Sequence, residues 1–92
     1  MTAIPIRFTE TALADLEQTM HRYAAQEVPD AGKRFIAKIV EYIEALSDQP
    51  GIGRVAAEFG QPFLRELNYL QMRIVYLRKP NQVRIVRVWR SG

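Results

Sequence analysis

The side chains best equipped for chemistry in this chain are arginines, and they are concentrated. Arg54, Arg65, Arg73, Arg78, Arg84, Arg87 and Arg90, with Lys79, fall in residues 51–92, where only Glu58 and Glu66 oppose them, a net charge of +6. Residues 1–50 hold five bases against eight acids, a net of −3. A guanidinium presents a planar fork of donors that fits phosphate or carboxylate bidentately, so the basic half points to an anionic partner. The same arginines are also compatible with strands whose outer face is merely solvated. Groups able to move protons are few. His21 is the one histidine; it sits in a helical stretch far along the chain from the arginines and reads as a surface or helix-packed residue. Glu58 and Glu66 are candidate general bases, although one carboxylate among arginines is more often an ion-pair partner. Trp89 has no titratable proton near neutral pH, and fits either a core position or an interface anchor.

Other chemistries lack their residues. The chain has no cysteine, which removes thiolate nucleophiles, thiolate metal sites and disulfides, and suits a reducing, cytoplasmic setting. Without a metal-ligand cluster or a glycine-rich phosphate loop, neither a metal nor a cofactor is expected. No apolar run approaches the length of about 18 residues needed to span a bilayer, and the opening MTAIPIRF lacks the pattern of a signal peptide, so no membrane association is expected. A chain of 92 residues has room for one core, so residues 1–92 are taken as a single domain. At this size a tight partner would add a meaningful share of stability.

The elements that must position the arginines can be read from hydrophobic period. Residues 3–8 alternate, with Ile4, Ile6 and Phe8 on one side, as a half-buried strand does, and Pro5 makes it an edge strand. Thr9 is a good N-cap for a helix whose apolar positions are Leu13, Leu16, Met20 and Tyr23. Pro29-Asp30 breaks the pattern and restarts it. The second helix carries a broad stripe of Phe35, Ile36, Ile39, Val40, Ile43 and Leu46, wide enough to pack on both the first helix and a sheet. The two should form an antiparallel hairpin. Residues 47–53 are turn chemistry, and 54–60 fit a short helix or a strand equally. Residues 63–67, 72–78 and 82–90 are strands rich in β-branched and aromatic side chains, with Lys79-Pro80-Asn81 as a tight connection. Tyr76 is expected in the core and Tyr69 in an exposed connection. Apolar residues of both parities in the last strand, Val83 and Ile85 against Val86 and Val88, imply that both its faces are partly covered. The expected architecture is α+β: an N-terminal strand and an antiparallel two-helix hairpin packed on a C-terminal antiparallel sheet of three to four strands.

Within that order, the strings Phe63-Leu64-Arg65-Glu66-Leu67, Met72-Arg73-Ile74-Val75-Tyr76 and Val83-Arg84-Ile85-Val86-Arg87-Val88-Trp89-Arg90, together with Pro50-x-x-Gly53 after a helical hairpin, resemble the RelE/ParE toxin superfamily. There a Leu-Arg-x-Leu segment precedes a Tyr-Arg-Ile/Val-x-Tyr strand, and a final apolar strand ends in a His- or Arg-containing tail. The resemblance covers nearly the whole chain. It implies the toxin of a type II toxin–antitoxin (plasmid stabilisation) system, neutralised by a cognate antitoxin. Two activities live on this fold, and fold alone does not choose between them: RelE-like members cleave mRNA on the ribosome, and ParE-like members inhibit DNA gyrase.

Cleavage by 2′-hydroxyl attack needs a base, an acid and cations for the phosphorane charge. By resemblance Arg73 matches the family arginine that would stabilise that charge, with Glu58 and Glu66 as the remaining candidates for a nuclease site. The rest of the RelE-like set is missing: Leu64 and Glu66 stand nearest to the lysine pair, Trp89 replaces the frequent histidine, and no terminal tyrosine follows. The ParE-like reading is therefore favoured, with no catalytic residue. Arg65, Arg73, Arg84, Arg87, Trp89 and Arg90 are then the target-binding set for gyrase. Leu13, Leu16, Met20, Phe35 and Ile39 on the helices are the expected antitoxin-binding set, met by an acidic extended or helical segment. A plain nucleic-acid-binding module fits less well, because the strands offer mostly Val, Ile and Arg where sheet-based RNA binders present stacking aromatics.

Overall fold

A computed structural model describes residues 3–56, 61 and 63–90. The first strand, β1 (Ile6–Phe8), runs into helices α1 (Glu10–Ala25) and α2 (Pro29–Glu44), and a 3-10 turn (Ala45–Ser47) follows. Four strands come next: β2 (Arg54–Val55), β3 (Leu64–Tyr69), β4 (Met72–Arg78) and β5 (Val83–Arg90). One sheet contains all five strands in the order β1-β5-β4-β3-β2. Its C-terminal part is antiparallel and has four strands, within the three to four expected, the fourth being two residues of the open segment that pair with β3; the N-terminal strand β1 adds a fifth, parallel to β5. Among the described residues no helix is long and apolar enough to cross a membrane.

Local chemistry explains the helix ends. The Thr9 hydroxyl accepts the amide of Ala12 at 3.0 Å and donates to the carbonyl of Val86 at 3.0 Å, so one side chain caps α1 and ties it to β5. At the far end of α1 the amides of Glu27 and Val28 return to the carbonyls of Ala24 and Tyr23, a Schellman closure with Glu27 at φ 63°, where glycine is the usual occupant. Pro29 then opens α2, where its missing amide costs nothing. The helices press together at Gly32: a Cβ there would lie 2.7 Å from the Cβ of Tyr23, so only glycine permits this approach.

The core lies between the helices and one face of the sheet. Ile39, Ile43 and Leu46 from the second helical segment meet Ile74, Tyr76, Val83, Ile85 and Val88, all of them fully buried. Ile4, Ile6 and Phe8 pack against this cluster, as their alternation requires. The last strand holds a surprise of parity. Val75 pairs with Arg87 while Tyr76 pairs with Ile85, which leaves Val86 as an extra residue, a β-bulge. The bulge resets the alternation, so Val83, Ile85 and Val88 all face the helices, and the two apolar parities come from this irregularity instead of from two covered faces. Tyr69 also differs from expectation. It is the last residue of β3, not part of a connection, and its ring stacks on Tyr42 with centroids 4.0 Å apart. The turn is the two residues Leu70 and Gln71, both at positive φ, the primed geometry that matches strand twist.

Candidate functional site

The arginines are sorted by the pleat. Met72, Ile74, Tyr76, Leu67, Val83, Ile85 and Val88 point into the helix-packed core, so their neighbours along each strand point to the opposite, outer face. Register then arranges that face in three rows across the sheet. Arg7, Arg84, Leu77 and Leu64 form the first row; Arg87, Val75, Glu66 and Arg54 the second; Trp89, Arg73 and Asn68 the third.

Every arginine of the second and third rows has a carboxylate partner. Glu66 accepts the Nε of Arg54 at 2.9 Å on one carboxylate oxygen and the Nε of Arg73 at 2.5 Å on the other. Its side chain is only 10% exposed and that of Arg73 20%, so their attraction is less screened than at an open surface, whereas Arg54 is 72% exposed and screened by water. Arg73 and Arg87 flank Trp89, with guanidinium carbons 5.5 Å and 4.6 Å from the indole centroid, within the range of cation–π attraction. Arg87 in turn donates to both oxygens of Asp15 on α1, at 2.9 and 3.1 Å. That hydrogen bond holds the Arg87 guanidinium above its usual pKa, and it stays charged at any working pH. The chain Asp15–Arg87–Trp89–Arg73–Glu66–Arg54 thus crosses the face from α1 to β2.

Of the expected target-binding set, the structure brings together Arg73, Arg84, Arg87 and Trp89 on the outer face. Arg65 and Arg90 lie on the other side by register, opposite Tyr76 and Met72. Arg65 donates from Nη1 to the Gly53 carbonyl at 2.9 Å, and its Nε is buried with no hydrogen-bond partner among the described residues. Arg90 is exposed and lines a cleft of about 190 Å³ between the helices and the β3–β4 turn, together with Arg22, Tyr23, Phe35 and Leu70. Of the nuclease candidates, Glu58 lies outside the described residues, and Arg73 and Glu66 are bonded to each other. His21 is on the α1 surface, 4.0 Å from the equally exposed Glu17.

The antitoxin-binding set divides as well. Leu13 is 53% exposed, Met20 and Phe35 are half-buried, and Leu16 and Ile39 are core residues. Helical period places all five on apolar stripes but does not say which edge of a stripe the sheet covers; Leu16 and Ile39 fall at its centre and offer no surface to a partner. Among the described residues no three of His, Asp and Glu gather to hold a metal ion.

Three pairings escaped sequence reasoning. Arg7 lies in the acidic half and reaches the basic face only through the parallel β1–β5 pairing. Asp15 and Arg87 are far apart in the chain, and no local pattern joins them. The Pro50-x-x-Gly53 motif was visible, but its partner was not: the buried Tyr76 hydroxyl donates to the Pro50 carbonyl and accepts the Gly53 amide, each at 2.9 Å. A Cβ at Gly53 would lie 2.5 Å from that hydroxyl. Burial pushes the Tyr76 phenol above its ordinary pKa.

Comparison with known proteins places this geometry in context. The family described as ParE toxin of type II toxin-antitoxin system, parDE, matches residues 6–92. No curated protein matches the chain. Among solved structures, the chromosomal ParDE toxin–antitoxin system from P. aeruginosa superposes with a TM-score of 0.83 at 22% identity, covering 98% of both chains. The toxin–antitoxin complex RelBE2 from Mycobacterium tuberculosis superposes with a TM-score of 0.67 at 23% identity, covering 96% of this chain and 98% of that one. At these identities the two likenesses speak to the fold.

Proposed function

This chain belongs to the ParE toxin family of type II toxin–antitoxin systems, and from that premise we propose that it acts in the cytoplasm by binding and inhibiting DNA gyrase, without chemistry of its own. The observation that carries the reading is the state of Glu66. Both of its oxygens accept guanidinium hydrogen bonds, and the neighbouring position that could carry a proton donor is Trp89, whose ring lies within cation–π range of Arg73 and Arg87. Such a face is built to be rigid and cationic, as a docking surface needs. Arg73, Arg84, Arg87 and Trp89 form its contact surface. Residues 1–92 act as one toxin domain, and growth arrest follows when the antitoxin is lost.

A cognate antitoxin would neutralise it from the helical side. Leu13, Met20 and Phe35 keep apolar surface there, and Arg22, Arg34, Lys38 and Arg90 stand around the clefts beside Phe35. An acidic segment with apolar anchors matches that combination of floor and rim.

The test is a supercoiling assay with purified gyrase and relaxed plasmid, run beside a ribosome-bound mRNA cleavage assay on the same preparation. Dose-dependent loss of supercoiling with intact mRNA supports the proposal. Cleavage with unaffected supercoiling would overturn it and make Arg73 and Glu66 a nuclease pair.

A further inference from the structure

Charge on the outer face is unevenly satisfied, and the imbalance is local. Arg54 and Arg73 share Glu66, and Arg87 has Asp15. Arg7 and Arg84 have neither: they are direct neighbours across the β1–β5 pairing, and no carboxylate contacts either among the described residues. Like charges opposite one another on adjacent strands disfavour a sheet, and among the described residues no ion pair offsets this one. Lys79, in the β4–β5 loop, adds a third cation, lining with Arg7 a concavity of about 380 Å³ that holds no acidic side chain.

We propose that the Arg7–Arg84–Lys79 corner is a binding site for the phosphate backbone of duplex DNA. An anion bridging two guanidiniums removes the repulsion and gains charge-assisted hydrogen bonds, and released counterions add to the gain. The choice of duplex over single strands rests on the aromatics. Single-strand binders stack bases on exposed rings. On the described outer face the aromatic ring is Trp89, already covered by Arg73 and Arg87, while Tyr69 and Tyr76 turn to the helix side. A surface that offers guanidinium groups without a stacking platform reads backbone alone, weakly and without sequence preference. The contact with DNA stands by itself; its use, to grip the duplex held by gyrase, rests on the function proposed above.

The experiment measures anisotropy of a labelled duplex of about 20 base pairs, and of a single strand of equal length, against salt. Three phosphate contacts predict a slope of log K against log salt of about −2 to −3. Arg7→Gln and Arg84→Gln should each lower the slope by about 0.9 and weaken binding at low salt about tenfold. Lys33→Gln, an equal charge loss on the exposed side of α2, should change binding far less. Arg7→Glu gives a variant that places a carboxylate beside Arg84: it should fold at least as well as the parent and bind duplex worst of all. Equal losses for the Lys33 and Arg7 variants, tighter binding of the single strand, or unchanged binding by Arg7→Glu would each overturn the site. The same variants are then assayed on gyrase. Weaker inhibition tracking weaker duplex binding supports the use proposed; unchanged inhibition overturns that use, and absence of inhibition by the parent protein overturns the gyrase reading while the duplex measurement still decides the site.

Discussion

The carboxylate of Asp15, on the first helix, accepts the main-chain amide of Val88, on the last strand, at 2.8 Å. β1 pairs with β5 only as far as Ile85, so beyond that point β5 would present unpaired donors along its edge. Asp15 satisfies one of them, and its remaining acceptor capacity takes Arg87. One side chain thus covers a sheet edge and aims a guanidinium over Trp89. Asp15→Ala strands the Val88 amide and the Arg87 charge together. Because Arg87 is 44% exposed, water recovers part of the loss, and the expected cost is about 2–3 kcal/mol. Asp15→Asn keeps an acceptor and should cost about half as much. Urea unfolding of the three proteins measures both.

Tyr76 organises the turn that carries Pro50 and Gly53. Tyr76→Phe removes the hydroxyl and leaves the buried Gly53 amide and the half-buried Pro50 carbonyl without this partner, an expected loss of about 2–3 kcal/mol. The pH dependence has a definite sign. Burial raises the phenol above its ordinary value near 10, so the folded state holds the proton more tightly than the unfolded chain. The contribution is complete below pH of about 10 and is lost as pH rises through the folded pKa. Alkaline unfolding curves of the parent should therefore steepen above pH 10 relative to Tyr76→Phe, which lacks this group.

How much of this was legible follows from the range of each signal. The helical hairpin and the three long strands are encoded by period over many residues, and the Thr9 cap by one residue type at one place, so these could be read directly. The Val86 bulge could not, because a bulge looks like a change of face until the partner strand is known. Nor could the first row of the outer face: Arg7 and Arg84 are 77 positions apart and meet only in the parallel pairing that the helical hairpin makes possible. Charge counting by halves assigned Arg7 to the acidic side of the chain, and topology moved it. Within the site, residue types alone marked Arg73, Arg87 and Trp89, but which guanidiniums already had a carboxylate was information held only in three dimensions.

Glu27 occupies a left-handed position at φ 63°, where a Cβ is unfavourable and glycine is not. Its side chain is exposed and no contact of it enters the core. Glu27→Gly should stabilise the protein by about 0.5–1 kcal/mol, the gain at the left-handed position exceeding the added freedom of glycine in the unfolded chain. Thermal unfolding would register a rise of about 2–8 °C.

Trp89 is the chain's single tryptophan, so its fluorescence reports directly on the face proposed to meet gyrase. Trp89→Phe keeps an aromatic surface for Arg73 and Arg87 but a weaker one, and Trp89→Ala removes it. Gyrase inhibition should fall in the order Trp, Phe, Ala, by about tenfold or more for Ala if the indole is a buried anchor in the complex. Titrating the parent protein with gyrase should shift its emission, corrected for the tryptophans of gyrase itself.

Glu66→Gln separates the two activities that the fold can host. Glutamine preserves shape but not charge, and Arg73, only 20% exposed, is left beside a neutral amide. As an ion-pair partner, Glu66 is then worth about 1–3 kcal/mol of stability, visible in urea unfolding, and inhibition per folded molecule should stay within a few-fold of the parent. As a general base, its loss would instead abolish turnover by about two to four orders of magnitude on ribosome-bound mRNA, with gyrase untouched. Stability and activity therefore move in opposite proportion under the two roles. A large stability loss with retained inhibition would place Glu66 in the scaffold that aims Arg73.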